Sequence, residues 1–506
     1  VDALAAFSFG NLCLGIAWTD LLDRGQFGYF HQQPVLRVQL LALVLNVLAV
    51  AAIAWLALRA WRRASCGWWQ RLGAVLFLFA LAVPVEFVRT AVFHLTDHEF
   101  VSGARHPLSL AGIAGATVAT WLWPGPAVGL LRRLLLTLSP LGVFSVGKAL
   151  LLLIGVLRLE AWPADPPLAG ALPSKPEAPR VLWLLFDELD YRLVFPERPA
   201  GLDLPEFDRL SREALHATNA QRPGSDTVVS LPALTTGKRV VEATPTGPAE
   251  LRLTLADGVK TNWTALPSLF AQARALGFNS SLVGWYHPYR RLFGAQLAAC
   301  EWFSFPFYDH VGGVSLADAL GRQLAAALPL FNLRLLNVRL HREILAAALR
   351  LSTNSPGGLT FLHLPVPHGP GVYRADTGSY TIWGMGKVSG YLNSLVLADR
   401  TLGELRLALE RSGLWEHTWF IVSTDHNWRY SAAFDGKVDE RVPFLVKPPG
   451  RMTGQTFGKQ INTRVSAALV LAILRGEVRD AAQLLSWLDE HAAGWDVSNQ
   501  TVSQAE

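Results

Sequence analysis

The sequence predicts two architectures in one chain. A polytopic helical membrane domain of about five transmembrane helices occupies residues 1–158, and an α/β domain with a mostly parallel sheet covered by helices occupies 181–506. Three observations carry this. Apolar residues make up 51% of the 506 and are concentrated before about residue 158, while only 17% of the chain is charged. Residues 159–180 hold prolines at 163, 166, 167, 173, 176 and 179 and read as an extended linker. After it, short apolar runs alternate with helical segments, the pattern of strands that need cover on both faces.

Apolar segments lie at roughly 3–18, 35–60, 71–95, 108–131 and 134–157, most near the ~20 residues a bilayer-spanning helix requires. Pro124-Gly125-Pro126 is expected to kink the fourth or end it early. Arg62, Arg63 and Arg71 lie between the second and third segments, and Arg132 and Arg133 between the fourth and fifth. Loops 19–34 and 96–107 hold one Arg each with acids. The positive-inside rule then makes the arginine-rich loops cytoplasmic and the C-terminal half extracytoplasmic. The chain opens on Val1, not Met, so a few N-terminal residues are expected to be missing. Glu86, Arg89 and Lys148 fall at membrane depth, where charge is costly. They read either as a lipid head-group site or as a Glu86–Arg89 pair with Lys148 reaching to the interface.

Cys13, Cys66 and Cys300 are too scattered for a disulfide framework. The net charge of +5 fits an anionic lipid surface. No basic stripe is interleaved with aromatics, which argues against nucleic acid.

In the second half, Val181–Phe186 is an apolar run with no charge inside it, as a strand buried on both faces requires. It delivers Asp187 and Glu188 to its carboxyl end, where ligands and catalytic groups collect in open α/β sheets. A helical LPEFDRLSREALHATNA follows, then a loop presenting Thr227 after Gly224, Ser225 and Asp226, just before VSLPALTTG, which can start a helix. Further on, 265–276 reads as a helix, 280–283 as a strand leading into Gly284-Trp285-Tyr286-His287, and 314–352 as helical. Leu359–Leu364 is a strand before Pro367-His368-Gly369-Pro370, and 389–411 is a helix. Thr418–Ser423 is the strand that delivers Thr424-Asp425-His426, 442–447 is a strand, and 463–475 and 480–492 are helices. Asp187 and the Asp425-His426 pair stand at the ends of two apolar strands. A lone Asp there is ordinarily a turn residue, but carboxylate with imidazole suits Zn²⁺ or Mn²⁺ better than Ca²⁺.

The stretch 181–237 resembles the opening of the alkaline-phosphatase superfamily, in its sulfatase and lipid head-group phosphotransferase branch. Thr227-Val-Val-Ser230-Leu-Pro232 is similar to the T-x-x-S-x-P of phosphoethanolamine transferases, ten residues before Gly237. The C/S-x-P-S-R motif of sulfatases is absent. The resemblance implies one divalent metal, Zn²⁺ or Mn²⁺, held by Asp187, Asp425, His426 and the Thr227 hydroxyl. Glu188 matches the second Asp of the sulfatase D-D pair and is a weaker candidate ligand. Thr227 is the implied nucleophile, since a cation lowers the pKa of an alcohol that is otherwise a poor one. His368 resembles the S-H-G-P histidine that contacts the substrate anion, and is implied as a substrate or acid/base residue. His287, Lys437 and Arg441 are candidates for binding the anion. His363 matches the first His of the transferase pattern and reads as a buried strand histidine. Asn427 after the D-H pair, in place of the usual Gly, is a departure, as is the missing histidine before the Val442 strand.

The implied activity moves a phospholipid head group, of phosphoethanolamine or phosphoglycerol type, through a phospho-threonine to an envelope glycan or glycolipid. The donor would be a membrane phospholipid and the site would be the outer side of a bacterial inner membrane. Two alternatives stand beside it: a sulfatase-like hydrolase, in which water replaces the acceptor, and a binding domain without activity.

Overall fold

The structure, a computed structural model, describes residues 1–492 apart from 23–25, 89–92, 94–99, 101–102, 160–161, 174–176, 307, 328–332 and 356. The chain forms two compact units: Val1–Gly25, His31–Trp162 and Pro306–Leu333 make the first, and Gln26–Phe30, Pro163–Phe305 and Arg334–Glu506 the second. The expected linker at 159–180 spans the change of unit at Trp162/Pro163.

In the first unit, two helices are long and apolar enough to cross a membrane, Arg37–Arg63 and Gly67–Val85. Two bent pairs, Asp2–Cys13 with Gly15–Leu22 (64°) and Pro124–Thr137 with Ser139–Leu153 (43°), raise this to four among the described residues. Five separate spans are not confirmed. The fourth expected segment runs across a break: helix Pro107–Leu122 stops at Trp123, and Pro124 opens a new helix. A helix of that length rises only about 24 Å, short of a hydrocarbon core of roughly 30 Å. The Lys148 Nζ donates to the Leu22 carbonyl at 3.0 Å. The Glu86 side chain and Arg89 lie outside the described residues. Helix Arg37–Arg63 buries Gln39 and Asn46 on an otherwise apolar face. Helix Leu316–Ala327 explains them, because Asn46 Nδ2 donates to Gln323 Oε1 (3.1 Å) and Gln323 Nε2 to the Gln39 carbonyl (2.9 Å).

The second unit is built on an eight-stranded sheet. In chain order its strands are β1 (Arg180–Asp187), β2 (Leu215–Ala217), β3 (Asn279–Trp285), β4 (Ala299–Phe303), β5 (Gly358–Pro367), β6 (Thr418–Thr424), β7 (Leu445–Lys447) and β8 (Gln455–Phe457). Across the sheet they run β8-β2-β7-β6-β1-β5-β3-β4. All neighbours are parallel except β7, which opposes both β6 and β2. Strand β1 sits centrally and is buried from Val181 to Asp187, as its uninterrupted apolar run requires. Its neighbours β5 and β6 bring the His368 loop and the Asp425-His426 pair to the same edge.

The helices follow the sequence pattern at Leu269–Ala275, Lys387–Arg411, Val465–Arg475 and Ala481–His491, and the stretch 314–352 is covered by two, Leu316–Ala327 and Leu333–Asn354. Asp399, on the long Lys387–Arg411 helix, accepts from the Glu206 and Phe207 amides (3.0 and 2.8 Å) and so caps helix Pro205–Glu213. Two things differ. The end of the LPEFDRLSREALHATNA segment is strand β2, and residues 240–262 form a separate three-stranded antiparallel sheet that no reading anticipated. The linker is also not a free tether throughout, since Asn279 exchanges two hydrogen bonds with the Leu172 backbone (2.8 and 2.9 Å).

Candidate active site

Three segments assemble the site. Strand β1 ends at Asp187, β6 is followed by Asp425 and His426, and helix Thr227–Thr236 begins with the threonine itself. Asp226 caps that helix by accepting from the Val229 amide (3.1 Å), and Gly237 ends it at φ 71°, a left-handed conformation that glycine reaches without a Cβ penalty. The cap fixes Thr227 at the first helical position, 7% exposed. Its Oγ1 donates to Asp425 Oδ2 at 2.8 Å.

Asp187, Asp425 and His426 each offer a donor atom within 4.8 Å of the others. His426 Nε2 is 3.4 Å from Asp425 Oδ2 and 3.9 Å from Asp187 Oδ1. His426 Nδ1 lies 2.9 Å from the Asn427 carbonyl, which can only accept, so Nδ1 carries the proton and Nε2 presents a lone pair. Asp425 Oδ1 is occupied by the Glu188 and His426 amides (3.1 and 2.7 Å). Among the described residues, Asp187 Oδ1 and His426 Nε2 have no hydrogen-bond partner, although both residues are buried. Burial, then the charges of Asp425 and Glu188, push the Asp187 carboxyl well above the usual range. The two orphaned buried atoms lie 3.9 Å apart. A divalent cation fits that donor set, with the Thr227 hydroxyl beside it.

Glu188 does not join the cluster. It stands at φ 65°, and its carboxylate turns to Arg429, whose Nε donates to Oε1 at 2.6 Å. A carboxylate held by a guanidinium is already neutralised. Arg429 also donates from an Nη atom to His368 Nε2 (3.2 Å). His368 Nδ1 lies 2.7 Å from the Gly369 carbonyl, so the neutral ring carries its proton there. Burial lowers the pKa of His368, with Glu188 opposing and Arg429 adding to the effect. Arg429 escaped the sequence reading. Its only signal was its place three residues after His426.

His287 is buried and faces the site from behind: Nε2 is 3.3 Å from the Thr227 carbonyl and Nδ1 is 2.9 Å from the Tyr29 hydroxyl. It therefore contacts the nucleophile's backbone. Both of its nitrogens are engaged, which leaves none to bind an anion. Lys437 and Arg441 are not brought to the cluster. Lys437 pairs with Glu197 (3.1 Å), and Arg441 with Asp439 (2.6 Å) while lying 4.8 Å above the Tyr191 ring. His363 is buried, as expected, with Nδ1 2.8 Å from the Tyr289 hydroxyl. Asn427, the departure after the D-H pair, uses its side-chain oxygen to accept from Arg222 (3.1 Å).

The sulfatase family model matches residues 180–472. Solved structures with a similar fold include the phosphonate monoester hydrolase SpPMH from Silicibacter pomeroyi, at 14% identity over 65% of this chain and 79% of that one, TM-score 0.41. The lipoteichoic acid synthase LtaP from Listeria monocytogenes is similar at 14% identity over 60% and 75%, TM-score 0.39. The PsFucS1 sulfatase from Pseudoalteromonas sp. is similar at 15% over 59% and 68%, TM-score 0.39. No curated protein sequence matches the chain.

Proposed function

This chain belongs to the sulfatase family of the alkaline-phosphatase superfamily, and from that premise we propose that it is a membrane-anchored, metal-dependent phosphotransferase acting on a phospholipid head group. The observation that carries the reading is the 2.8 Å bond from Thr227 Oγ1 to Asp425, set beside the unpartnered Asp187 and His426 atoms. A threonine, with T-x-x-S-x-P around it, stands where sulfatases carry their cysteine or serine motif.

Asp187, Asp425 and His426 would hold the cation, Zn²⁺ or Mn²⁺. Bound there, it would lower the pKa of the neighbouring hydroxyl and offset charge on the phosphoryl oxygens. Thr227 Oγ1 gives up the proton held toward Asp425 Oδ2 and bonds to the phosphorus. The bond from phosphorus to the glycerol oxygen breaks, and that oxygen takes a proton and leaves as diacylglycerol. The head group remains on Thr227 as a phosphodiester. An acceptor hydroxyl on an envelope glycan or glycolipid then attacks the same phosphorus, and Thr227 regains its proton. Arg429, held by Glu188 and His368, supplies a cation for a non-bridging oxygen, and His368 Nε2 becomes a proton acceptor once Arg429 turns from it to the substrate.

The two to four apolar spans support a donor in the bilayer; Arg132 and Arg133, expected in a loop, lie inside helix Pro124–Thr137, so the extracytoplasmic placement is carried by the lipid-donor reading and not by those arginines. Incubating the full chain with labelled phospholipids and Zn²⁺ or Mn²⁺ tests the reading. The expected products are diacylglycerol and a Thr227 adduct whose mass names the head group. Release of free head-group phosphate with no modified acceptor would assign hydrolysis, and a chain that binds no divalent metal would remove catalysis.

A further inference from the structure

We infer that Tyr29 is a positioning residue for this reaction: the short segment Gln26–Phe30 belongs to the catalytic unit, and its tyrosine acts through His287 on the backbone of Thr227. The inference rests on the phosphotransfer reading. Tyr29 and His287 are both fully buried. The Thr227 carbonyl, 3.3 Å from His287 Nε2, can only accept, so Nε2 carries the ring proton. Nδ1 is then a lone pair, and the Tyr29 hydroxyl 2.9 Å away donates to it. Polarity is thereby fixed along the whole chain, from phenol to imidazole to the main chain of the nucleophile.

Every member of this relay is itself held. Arg291 donates to the Tyr29 carbonyl at 2.7 Å, and Trp263 stands edge-on to the His287 ring with centroids 4.9 Å apart. With Nε2 against a carbonyl and Nδ1 against a hydroxyl, the ring has one proton to place and one lone pair to offer. Thr227 is the first residue of its helix, and His287 adds a side-chain donor to a carbonyl that otherwise has only the helix's own amides to meet. Turning that peptide would swing Oγ1 away from Asp425, and a misplacement near 1 Å can cost about 100-fold in rate. The catalytic unit is thus completed by a tyrosine from the far N-terminal side of the sequence, about 200 residues before the nucleophile it steadies.

The test uses the full chain in lipid nanodiscs with Zn²⁺ or Mn²⁺, and bis(4-nitrophenyl) phosphate as the diester probe. Tyr29→Phe removes one hydroxyl and is expected to lower kcat about 10- to 100-fold with KM within about twofold. His287→Gln, whose amide can accept from Tyr29 and donate to Thr227, should retain kcat within about fivefold. In a His287→Ala background, Tyr29→Phe should cost nothing further, because the two act in one chain. Solid-state ¹⁵N spectra of histidine-labelled protein give a readout independent of turnover. The His287 signal, identified by its loss in His287→Gln, should report a neutral Nε2–H ring and should shift in Tyr29→Phe. An unchanged kcat in Tyr29→Phe, or its full effect persisting in His287→Ala, overturns the positioning role. If the wild type turns over no diester, the phosphotransfer reading fails, and a His287 signal unmoved by Tyr29→Phe separately overturns the contact.

Discussion

Two groups of charged residues on the catalytic unit are built in opposite ways. At the ends of β1 and β6, Asp187 and His426 are buried and each keeps a polar atom without a hydrogen-bond partner among the described residues. At 437–441, Lys437 and Arg441 are both tied down, to Glu197 and Asp439. A buried unsatisfied polar atom costs roughly 1–3 kcal/mol, whereas an exposed ion pair contributes about 0–1. The contrast separates a place kept open for something else from one that is finished. Both groups are built from ionisable side chains and are plausible on residue type alone, so only the state of their hydrogen bonds tells them apart.

The comparison breaks first at the open cluster. Asp425→Ala removes a cation ligand and the acceptor of the Thr227 hydroxyl together. Metal content measured on the purified protein should drop from one equivalent to none, and turnover should fall by at least about 1,000-fold. Asp187→Asn should also abolish metal retention, but with the opposite effect on the metal-free fold. It removes a carboxyl that burial, Asp425 and Glu188 all disfavour in charged form. Thermal unfolding of the metal-free variant should therefore occur a few degrees higher, since roughly 1 kcal/mol moves Tm by about 2–4 °C at this size. A metal-free Asp187→Asn that melts below wild type would show that the cluster is a satisfied structural element after all.

Arg429 lies between the two extremes, paired with Glu188 and His368 yet half exposed. Arg429→Gln should lower kcat/KM about 10- to 100-fold through substrate binding while leaving metal content unchanged. Loss of metal in this variant would instead make Arg429 a support for the cluster.

Much of this was legible because it is local. The charge-free run before Asp187 and the apolar run before Asp425 declare buried strands, and their ends must share an edge once the strands pair in parallel. The Thr227 loop declares a helix start through Asp226 and a stop through Gly237. The rest depends on partners distant in sequence. Nothing around Glu188 says that it will meet Arg429, 241 residues later, and nothing around Tyr29 points to His287. Arg441 differs for a local reason: Asp439, two residues away, captures it first. In the membrane half, the apolar pattern gave the segments but not their breaks: the one at Leu138 has Pro140 at the start of the next helix, while the one at Leu14 has no proline beside it.

A finished histidine sharpens the contrast with His426. His341 has both nitrogens engaged, by the Tyr380 hydroxyl (2.8 Å) and Thr401 Oγ1 (3.1 Å). Thr401 spends its own proton on the Leu397 carbonyl, so His341 Nε2 donates and Nδ1 accepts. Burial, then Arg400 and Arg342, lowers its pKa from 6.5 to about 4. Between those values the unfolded chain binds the proton and the folded one does not. The stabilisation is therefore complete above pH 6.5 and is lost as pH falls toward 4, on the order of 3 kcal/mol in total. Chemical denaturation of wild type and His341→Gln across that window should show a shallower acid slope in the variant, and equal slopes would mean that the ring is charged in the fold.

The smallest effect belongs to the closed group. The Lys437 side chain is 63% exposed and the Arg441 side chain 37% exposed, and each spends its charge on a neighbouring carboxylate. Lys437→Gln should change stability by less than about 0.5 kcal/mol. Arg441→Gln should cost somewhat more, because its guanidinium also stacks over Tyr191 and donates to the Thr218 carbonyl (3.3 Å). Neither should alter metal content, and turnover of a diester should stay within about twofold. A tenfold rise in KM for Arg441→Gln would mean that substrate draws this arginine away from Asp439, and that a saturated ion pair can serve the site as well as an unsatisfied atom does.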